Sequence, residues 1–312
     1  MRAFLARSPA LFALSPLLVL MPFTPEPANP RPPRTPPVFD LQGHRGARGA
    51  RPENTWPAFR YALRAGAVTL ELDVAVTADA QLVASHEPWM NPALCRTPSG
   101  EAIPEGEGRQ HPLFAMDYAE TRRYNCGSLR APGFPEQQPV AAPKPLLADV
   151  LAETEALAAA TGRPLLFYNV EIKTRPAWDG RFHPDPERFA HLLIDALADA
   201  GVTRRAVIQS FDLRPLRAAR EMGFGGRLAL LVGRERDGGL PDHVEALGFT
   251  PDGYSPHHRR VDDALIAEAD ERGVGVVPWT VNDPERMRAL KALGVDGLIT
   301  DYPRRGRFLV GE

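Results

Sequence analysis

The chain has 312 residues, enough to bury one large core or two modest ones. Its 37 basic and 39 acidic side chains leave a formal charge of −2. That balance gives no electrostatic case for nucleic acid or an anionic membrane surface as a partner.

The first 37 residues read separately from the rest. Arg2 and Arg7 precede an apolar run over 10–23, and a proline-rich stretch follows to residue 37. The run is shorter than the ~20 residues that span a bilayer, and its positive start matches a secretory signal. A retained anchor is the other reading. No clean small-x-small triplet stands after the run to mark a cleavage site, and no cysteine lies near the run, which argues against a lipoprotein. The expectation is a signal peptide and proline-rich leader over 1–37, an exported protein (periplasmic or secreted), and no stable membrane span in the mature form.

Regular structure begins with a short strand over 41–44, and Gly46 and Gly49 open a loop. Asn54 is expected to cap a helix carrying Trp56, Phe59, Tyr61 and Leu63. The next strand, 68–74, places Glu71 and Asp73 on one face and Leu70, Leu72 and Val74 on the other. Two like charges side by side are destabilising unless a cation sits between them. The bland alternative is a solvated strand face, but the apolar flanks imply a buried strand. A turn at 77–80 leads to a strand over 82–86. A hairpin centred near Asp79 would bring His86 opposite Leu72, level with the two acids.

From about 88 to 145 the pattern breaks into Pro, Gly and charged residues, with one helical stretch near 116–124. A loop this long in a compact domain is usually functional or an inserted subdomain. Cys95 and Cys126 both lie in it, and export makes a disulfide between them the expectation. Two free thiols, or a zinc site drawing on His111, are the alternatives. Alternation then resumes. Helices are expected over 146–160, 186–200, 213–222, 242–247, 262–272 and 284–293. Strands are expected over 165–173, 206–210, 227–232, 253–255, 274–280 and 297–300. The strand at 165–173 ends in Glu171 and Lys173 on a shared face, a third carboxylate beside a cation. Short strands alternating with helices mean βαβ units and a parallel sheet. Nine strand candidates are one more than a (β/α)₈ barrel needs. The strand at 82–86 is the odd one, since no helix precedes it. A distorted TIM barrel over 38–312 with a loop-rich insertion at 88–145 accommodates it better than a doubly wound sheet.

Several motifs stand in order along this frame: His44-Arg45-Gly46-Ala47, Pro52-Glu53-Asn54-Thr55, Glu71-Leu72-Asp73, His86, Glu171-Ile172-Lys173, Gln209-Ser210-Phe211, Pro278-Trp279-Thr280-Val281-Asn282 and Asp296-Gly297-Leu298-Ile299-Thr300-Asp301-Tyr302-Pro303. The set resembles the signature of the glycerophosphodiester phosphodiesterase family, from about Phe39 to Pro303. The resemblance implies His44 and His86 as the catalytic pair, Glu71, Asp73 and Glu171 as metal ligands, and Arg45 and Lys173 as phosphate contacts. One departure is Glu87, where the family usually has Asp after the second histidine; it bears on leaving-group recognition rather than on the chemistry.

These residue types suit phosphodiester hydrolysis. Three carboxylates are hard oxygen donors, favouring Ca²⁺ or Mg²⁺ over zinc. Arg45 can grip phosphate by its planar fork, with Lys173 as a point charge. Two histidines supply an acid and a base near neutral pH, with water or the substrate's own neighbouring hydroxyl as nucleophile. Trp279 and Phe211 could line the mouth, with core packing as the alternative for Phe211. The expected partner is a small glycerophosphodiester, cleaved to glycerol phosphate and an alcohol. The alternatives are a lysophospholipase D-type enzyme releasing a cyclic phosphate, with an apolar entrance at Trp89, Met90, Leu94, Phe114 and Phe134, and a secreted binding protein for phosphodiesters or polyols. The binding protein would need no paired acid and base.

Overall fold

Apolar residues at alternate strand positions and on one stripe of each helix pack into a barrel of parallel strands inside a layer of helices. The computed structural model describes residues 36, 39–163 and 165–311; apart from residue 36, the expected leader lies outside the described residues. The chain runs through β1 (Asp40–Gly43), α1 (Trp56–Arg64), β2 (Thr69–Val76) and β3 (Leu82–Ala84). It then crosses the 88–145 segment, which contains the single-turn helix α2 (Tyr118–Thr121). Next come α3 (Leu147–Ala160), β4 (Phe167–Ile172), α4 (Pro186–Asp199), β5 (Ala206–Ser210), α5 (Leu213–Glu221) and β6 (Arg227–Val232). The chain finishes with α6 (Leu240–Leu247), β7 (Gly253–Pro256), α7 (Asp263–Arg272), β8 (Gly275–Val276), α8 (Pro284–Leu293) and β9 (Gly297–Thr300).

The strand order is β8-β7-β6-β5-β4-β2-β1-β9, all parallel, with β3 antiparallel on β2. Backbone bonds from Asp296 N to Val276 O (3.0 Å) and from Ile299 N to Pro278 O (2.9 Å) draw the two ends of the sheet together. The result is a nearly closed, distorted TIM barrel. Val74 pairs with Ala84 and Val76 with Leu82, and Ser85 N donates to Asp73 O at 3.0 Å. The hairpin therefore carries His86 to the level of the acids.

The outward side chains Leu70, Leu72, Val74, Tyr168 and Val170 are fully buried beneath Phe59, Leu147, Leu151 and Phe189 from the helices. Helix starts follow from the sequence: Asp185, Asp262 and Asp283 accept first-turn amides at 2.8, 2.9 and 2.8 Å, satisfying donors that have no intrahelical acceptor.

Two expectations are corrected. The α1 cap is Thr55, not Asn54; Asn54 sits at φ 53° with its side chain turned to β2. And β8 spans two residues rather than 274–280, because Pro256 and Pro278 remove ladder donors on both sides of the β7–β8 seam. Isolated bonds such as Trp279 N to Pro256 O (3.0 Å) continue the pairing past them.

The 88–145 segment has its own small core. Met90, Cys95, Ile103, Leu113, Met116, Tyr124 and Cys126 pack against Ala75 and Val83 of the hairpin, and Cys95 and Cys126 are joined by a disulfide. Among the described residues no helix is long and apolar enough to cross a membrane.

Candidate active site

The C-terminal mouth of the barrel holds a cavity of about 900 Å³. Its floor is built by β2 and β4, whose register pairs Asp73 with Glu171 and Glu71 with Asn169. One oxygen from each of Glu71, Asp73 and Glu171 lies within 4.8 Å of the others. All three are at least 94% buried, which overturns the solvated-face alternative. A relay across the barrel interior orients Glu71. Asn169 Nδ2 donates to Gln42 Oε1 (2.8 Å) and to Gln209 Oε1 (3.0 Å), and Gln209 Nε2 donates to Glu71 Oε1 (2.9 Å).

Two cations meet the acids. Lys173, one residue beyond β4, places Nζ 2.8 Å from Glu171 Oε1 and 3.2 Å from Asp73 Oδ1. Arg45 is buried. Its backbone N–H donates to Glu71 Oε2 (2.8 Å), its guanidinium donates to Glu53 Oε1 (2.6 Å), and its Nε lies 3.3 Å from Asp73 Oδ2. That backbone bond needs Arg45 at φ 48°, a left-handed conformation uncommon for a side-chain-bearing residue. Gly46 follows at φ 81°, where a Cβ would fall 2.8 Å from the Ala58 carbonyl carbon, so only glycine lets the loop lie on α1. Asn54 completes the frame, donating to Asp73 Oδ2 at 2.8 Å and accepting from Asp73 N at 3.2 Å.

The electrostatics follow from crowding. Burial, together with the charges of Asp73 and Glu171, pushes the Glu71 carboxyl well above the usual range, and burial raises Glu171 as well. Burial would also raise Asp73, but the charges of Lys173 and Arg45 hold it well below the ordinary carboxylate value. Burial opposes the charged form of Arg45, yet Glu53 and Asp73 raise its pKa, so it stays protonated. Three acids in so small a buried volume hold a proton or bind a cation.

A histidine stands on each flank. His44 follows β1, and its Nδ1 lies 2.6 Å from Asp301 Oδ1. Asp301 follows β9 and accepts from Asn282 Nδ2 at 2.7 Å. Burial lowers the His44 pKa more than Asp301 raises it, so the resting imidazole is neutral near pH 7. His86 follows β3, with Nδ1 2.8 Å from Glu87 Oε1. Burial would raise Glu87, but the hydrogen bond to His86 and the charges of His86, Lys144 and Arg45 hold it down to about 2. Both histidines thus have Nδ1 on a carboxylate, leaving Nε2 as the nitrogen to face the cavity that both line.

Every nominated site residue comes to this one cavity except Asp73, which lies just beneath it in the acid cluster. Phe211 is 39% exposed and packs edge-on to Trp279 with ring centroids 5.4 Å apart, so it belongs to the mouth and not to the core. Sequence reasoning passed over Lys144. Its buried Nζ donates to Ser85 Oγ at 2.7 Å, and Ser85 Oγ donates to Glu87 O at 2.5 Å. A lone lysine in a proline-rich stretch carries no local signal of such a role. Asp301 and Asn282 stood in motifs, but nothing in their spacing ties them to His44.

A cluster of buried acids, fixed cations and carboxylate-backed histidines at the C-terminal face of a TIM barrel is the site of an enzyme. Residues 44–305 match the profile of the glycerophosphoryl diester phosphodiesterase family, and the chain belongs to that family. A glycerophosphodiester phosphodiesterase from Caldanaerobacter subterraneus is 29% identical over 256 residues, spanning 81% of this chain and 89% of its own. A crystal structure from Silicibacter pomeroyi, assigned as a glycerophosphoryl diester phosphodiesterase, is 30% identical with a TM-score of 0.77, covering 89% of this chain and 95% of that one. An Oleispira antarctica phosphodiesterase, solved with the product sn-glycerol-3-phosphate, shares the fold at 18% identity and a TM-score of 0.67, covering 88% and 98%. The protein is a phosphodiesterase and not a binding protein, and neither the family nor these relatives favour the lysophospholipase D-type alternative.

Proposed function

We propose that the enzyme hydrolyses glycerophosphodiesters to glycerol phosphate and an alcohol, with His44 and His86 as the acid–base pair and a divalent cation, Ca²⁺ or Mg²⁺, held by Glu71, Asp73 and Glu171. The observation that carries this reading is the juxtaposition of three buried carboxylates, two fixed cations and two histidines each backed at Nδ1. The donor set suits a hard cation: all ligand atoms are carboxylate oxygens, and the buried Asp73 Oδ1 has no partner but the Lys173 ammonium 3.2 Å away. When bound, such an ion supplies Lewis acidity toward a phosphate oxygen or substrate hydroxyl. Arg45 and Lys173 neutralise the diester and orient it. One imidazole Nε2 takes the proton of the nucleophile, and the other gives a proton to the departing alkoxide oxygen. Asp301 and Glu87 fix the tautomers and stabilise whichever ring becomes cationic, as a carboxylate does for a catalytic histidine elsewhere.

The product bound to the Oleispira enzyme is the one this reaction would yield. Export fits the same reading, since the Cys95–Cys126 bond suits an oxidising compartment. The test is release of glycerol phosphate from glycerophosphocholine by protein stripped of metal and verified by elemental analysis. Turnover should vanish and return with Ca²⁺ or Mg²⁺, and Glu71→Gln should weaken metal binding in calorimetry while the fold persists. Full turnover in verified metal-free protein would sink the cation's role.

A further inference from the structure

The floor of the cavity is occupied by groups that grip a phosphate and its neighbour; the mouth above it is built differently. At about 900 Å³ the cavity lies at the upper end of small-molecule sites, so the alcohol half of a diester also has a wall to lie on. One wall is aromatic: Trp89, three residues beyond His86, stands edge-on to Trp178 (5.3 Å between centroids), and these two rings line the cavity over the buried Phe182 (5.2 Å from Trp89). Left bare, those rings would suit a quaternary ammonium. They are not bare. The Arg109 guanidinium lies 4.9 Å from the Trp89 centroid and that of Arg175 lies 4.6 Å from the Trp178 centroid.

Both arginines are exposed, both line the cavity, and among the described residues neither has a carboxylate partner. The carboxylates near the mouth are already committed. Glu87 is bound to His86 at 2.8 Å, and Asp212 is bound to Arg214 at 2.6 Å. Arg48 is likewise taken, its Nε lying 2.9 Å from Glu53 Oε2. The wall therefore presents two uncompensated guanidinium forks on rigid aromatic supports, a geometry made for a carboxylate or phosphate.

We infer that the alcohol half of the preferred substrate carries an anionic group, read by Arg109 and Arg175, and that cationic alcohols such as choline are disfavoured. This rests on the proposed phosphodiesterase reaction and names its substrate class. Two part-exposed ion pairs correspond to a preference of roughly fivefold to tenfold, screened by salt.

The test compares glycerophosphoinositol with its 4-phosphate, two diesters that differ by one anionic group, with glycerophosphocholine as the cationic reference. In the intact enzyme kcat/KM should be highest for the 4-phosphate and lowest for glycerophosphocholine. The ratio between the two inositol diesters should fall toward one in Arg109→Gln/Arg175→Gln. It should fall in the same way as ionic strength rises in the wild type, a measurement that does not depend on the variant folding. A ratio of one or less in the wild type, or one that survives both the substitutions and high salt, overturns the inference. If no diester is hydrolysed, the proposed function fails and takes this inference with it; if glycerophosphocholine is cleaved as well as the 4-phosphate, the inference fails alone.

Discussion

The two histidines of the site are held alike at the atomic level and differently at the level of the chain. His44 meets a carboxylate 257 residues away, and that contact exists only because β9 returns beside β1 to complete the barrel. His86 meets the residue next to it, and what is non-local there is the support: Ser85 on Asp73 through the hairpin, and Lys144 arriving from the far end of the 88–145 segment. The His44 side chain is 13% exposed and its pKa is lowered by burial, while the His86 side chain is 29% exposed. The first histidine is therefore a reporter of barrel closure and the second a reporter of the inserted segment. The contrast can be broken by removing the rings themselves, then their carboxylates, then the lysine behind one of them.

The largest effects belong to the rings. His44→Ala and His86→Ala should each lower kcat by roughly the 10²–10⁴ of a lost general acid or base, with KM little changed. A nitrophenyl phosphodiester, whose leaving group needs no proton, should rescue only the variant that lost the acid. Near wild-type kcat in both variants would remove the histidines from the chemistry. The carboxylates come next. Asp301→Asn and Glu87→Gln deprive each ring of its Nδ1 partner, a loss that should cost less than removing the ring itself, as a triad carboxylate costs less than its histidine. Asp301→Asn should give the larger loss, because it serves the less exposed ring and also accepts from Asn282. Glu87→Gln should give the smaller, since its ring is more exposed to water. Equal losses in kcat would show that the difference in burial has no bearing on catalysis. The disulfide supplies a third contrast. Cys95→Ala/Cys126→Ala should loosen the 88–145 segment by a few kcal/mol at most and reduce activity through the His86 side, leaving the His44–Asp301 contact intact. Paired histidine ring signals in NMR spectra would report whether only one of them moves.

What was legible in the sequence follows the same division. Alternation on 68–74 and 165–173 marked Glu71, Asp73, Glu171 and Lys173 as groups sharing a face, because the strand period is set by backbone geometry alone. The turn at 77–80 even carried His86 to the right level, since an antiparallel register is fixed by its turn. The barrel was readable from the repeated strand–helix unit. Asn54 was misread because capping preference is a local rule, whereas its amide is claimed by Asp73 on a neighbouring strand. β8 was over-extended because apolar character continues through Pro278 even though ladder donors do not. Lys144 left no trace, as its partners lie 57–59 residues away; contacts created by a long irregular segment have no period to betray them.

The smallest effect expected is also the one that separates a supporting lysine from a structural one. Lys144 is buried, its own pKa is lowered by that burial, and its charge is one of those that hold Glu87 at about 2 against an ordinary 4.5. Glu87's folded-state pKa is depressed, so its contribution to stability is present above about 4.5 and is lost as the pH falls through about 2. Between 4.5 and about 2, at about 1.4 kcal/mol for each pH unit, that contribution is at most ~3.5 kcal/mol. In Lys144→Met the His86 hydrogen bond remains and the lysine charge is gone, so the Glu87 pKa should rise part of the way back. Acid unfolding followed by near-UV circular dichroism should then begin at higher pH, with the midpoint displaced by under about one unit, since Lys144 ranks behind His86 among the causes. The double variant Lys144→Met/Glu87→Gln should show no further displacement relative to Glu87→Gln. If Lys144→Met lowers stability equally at every pH, or displaces the midpoint just as far when Glu87 is already Gln, then the lysine merely packs against Ser85. In that case the electrostatic link from the inserted segment to His86 does not exist.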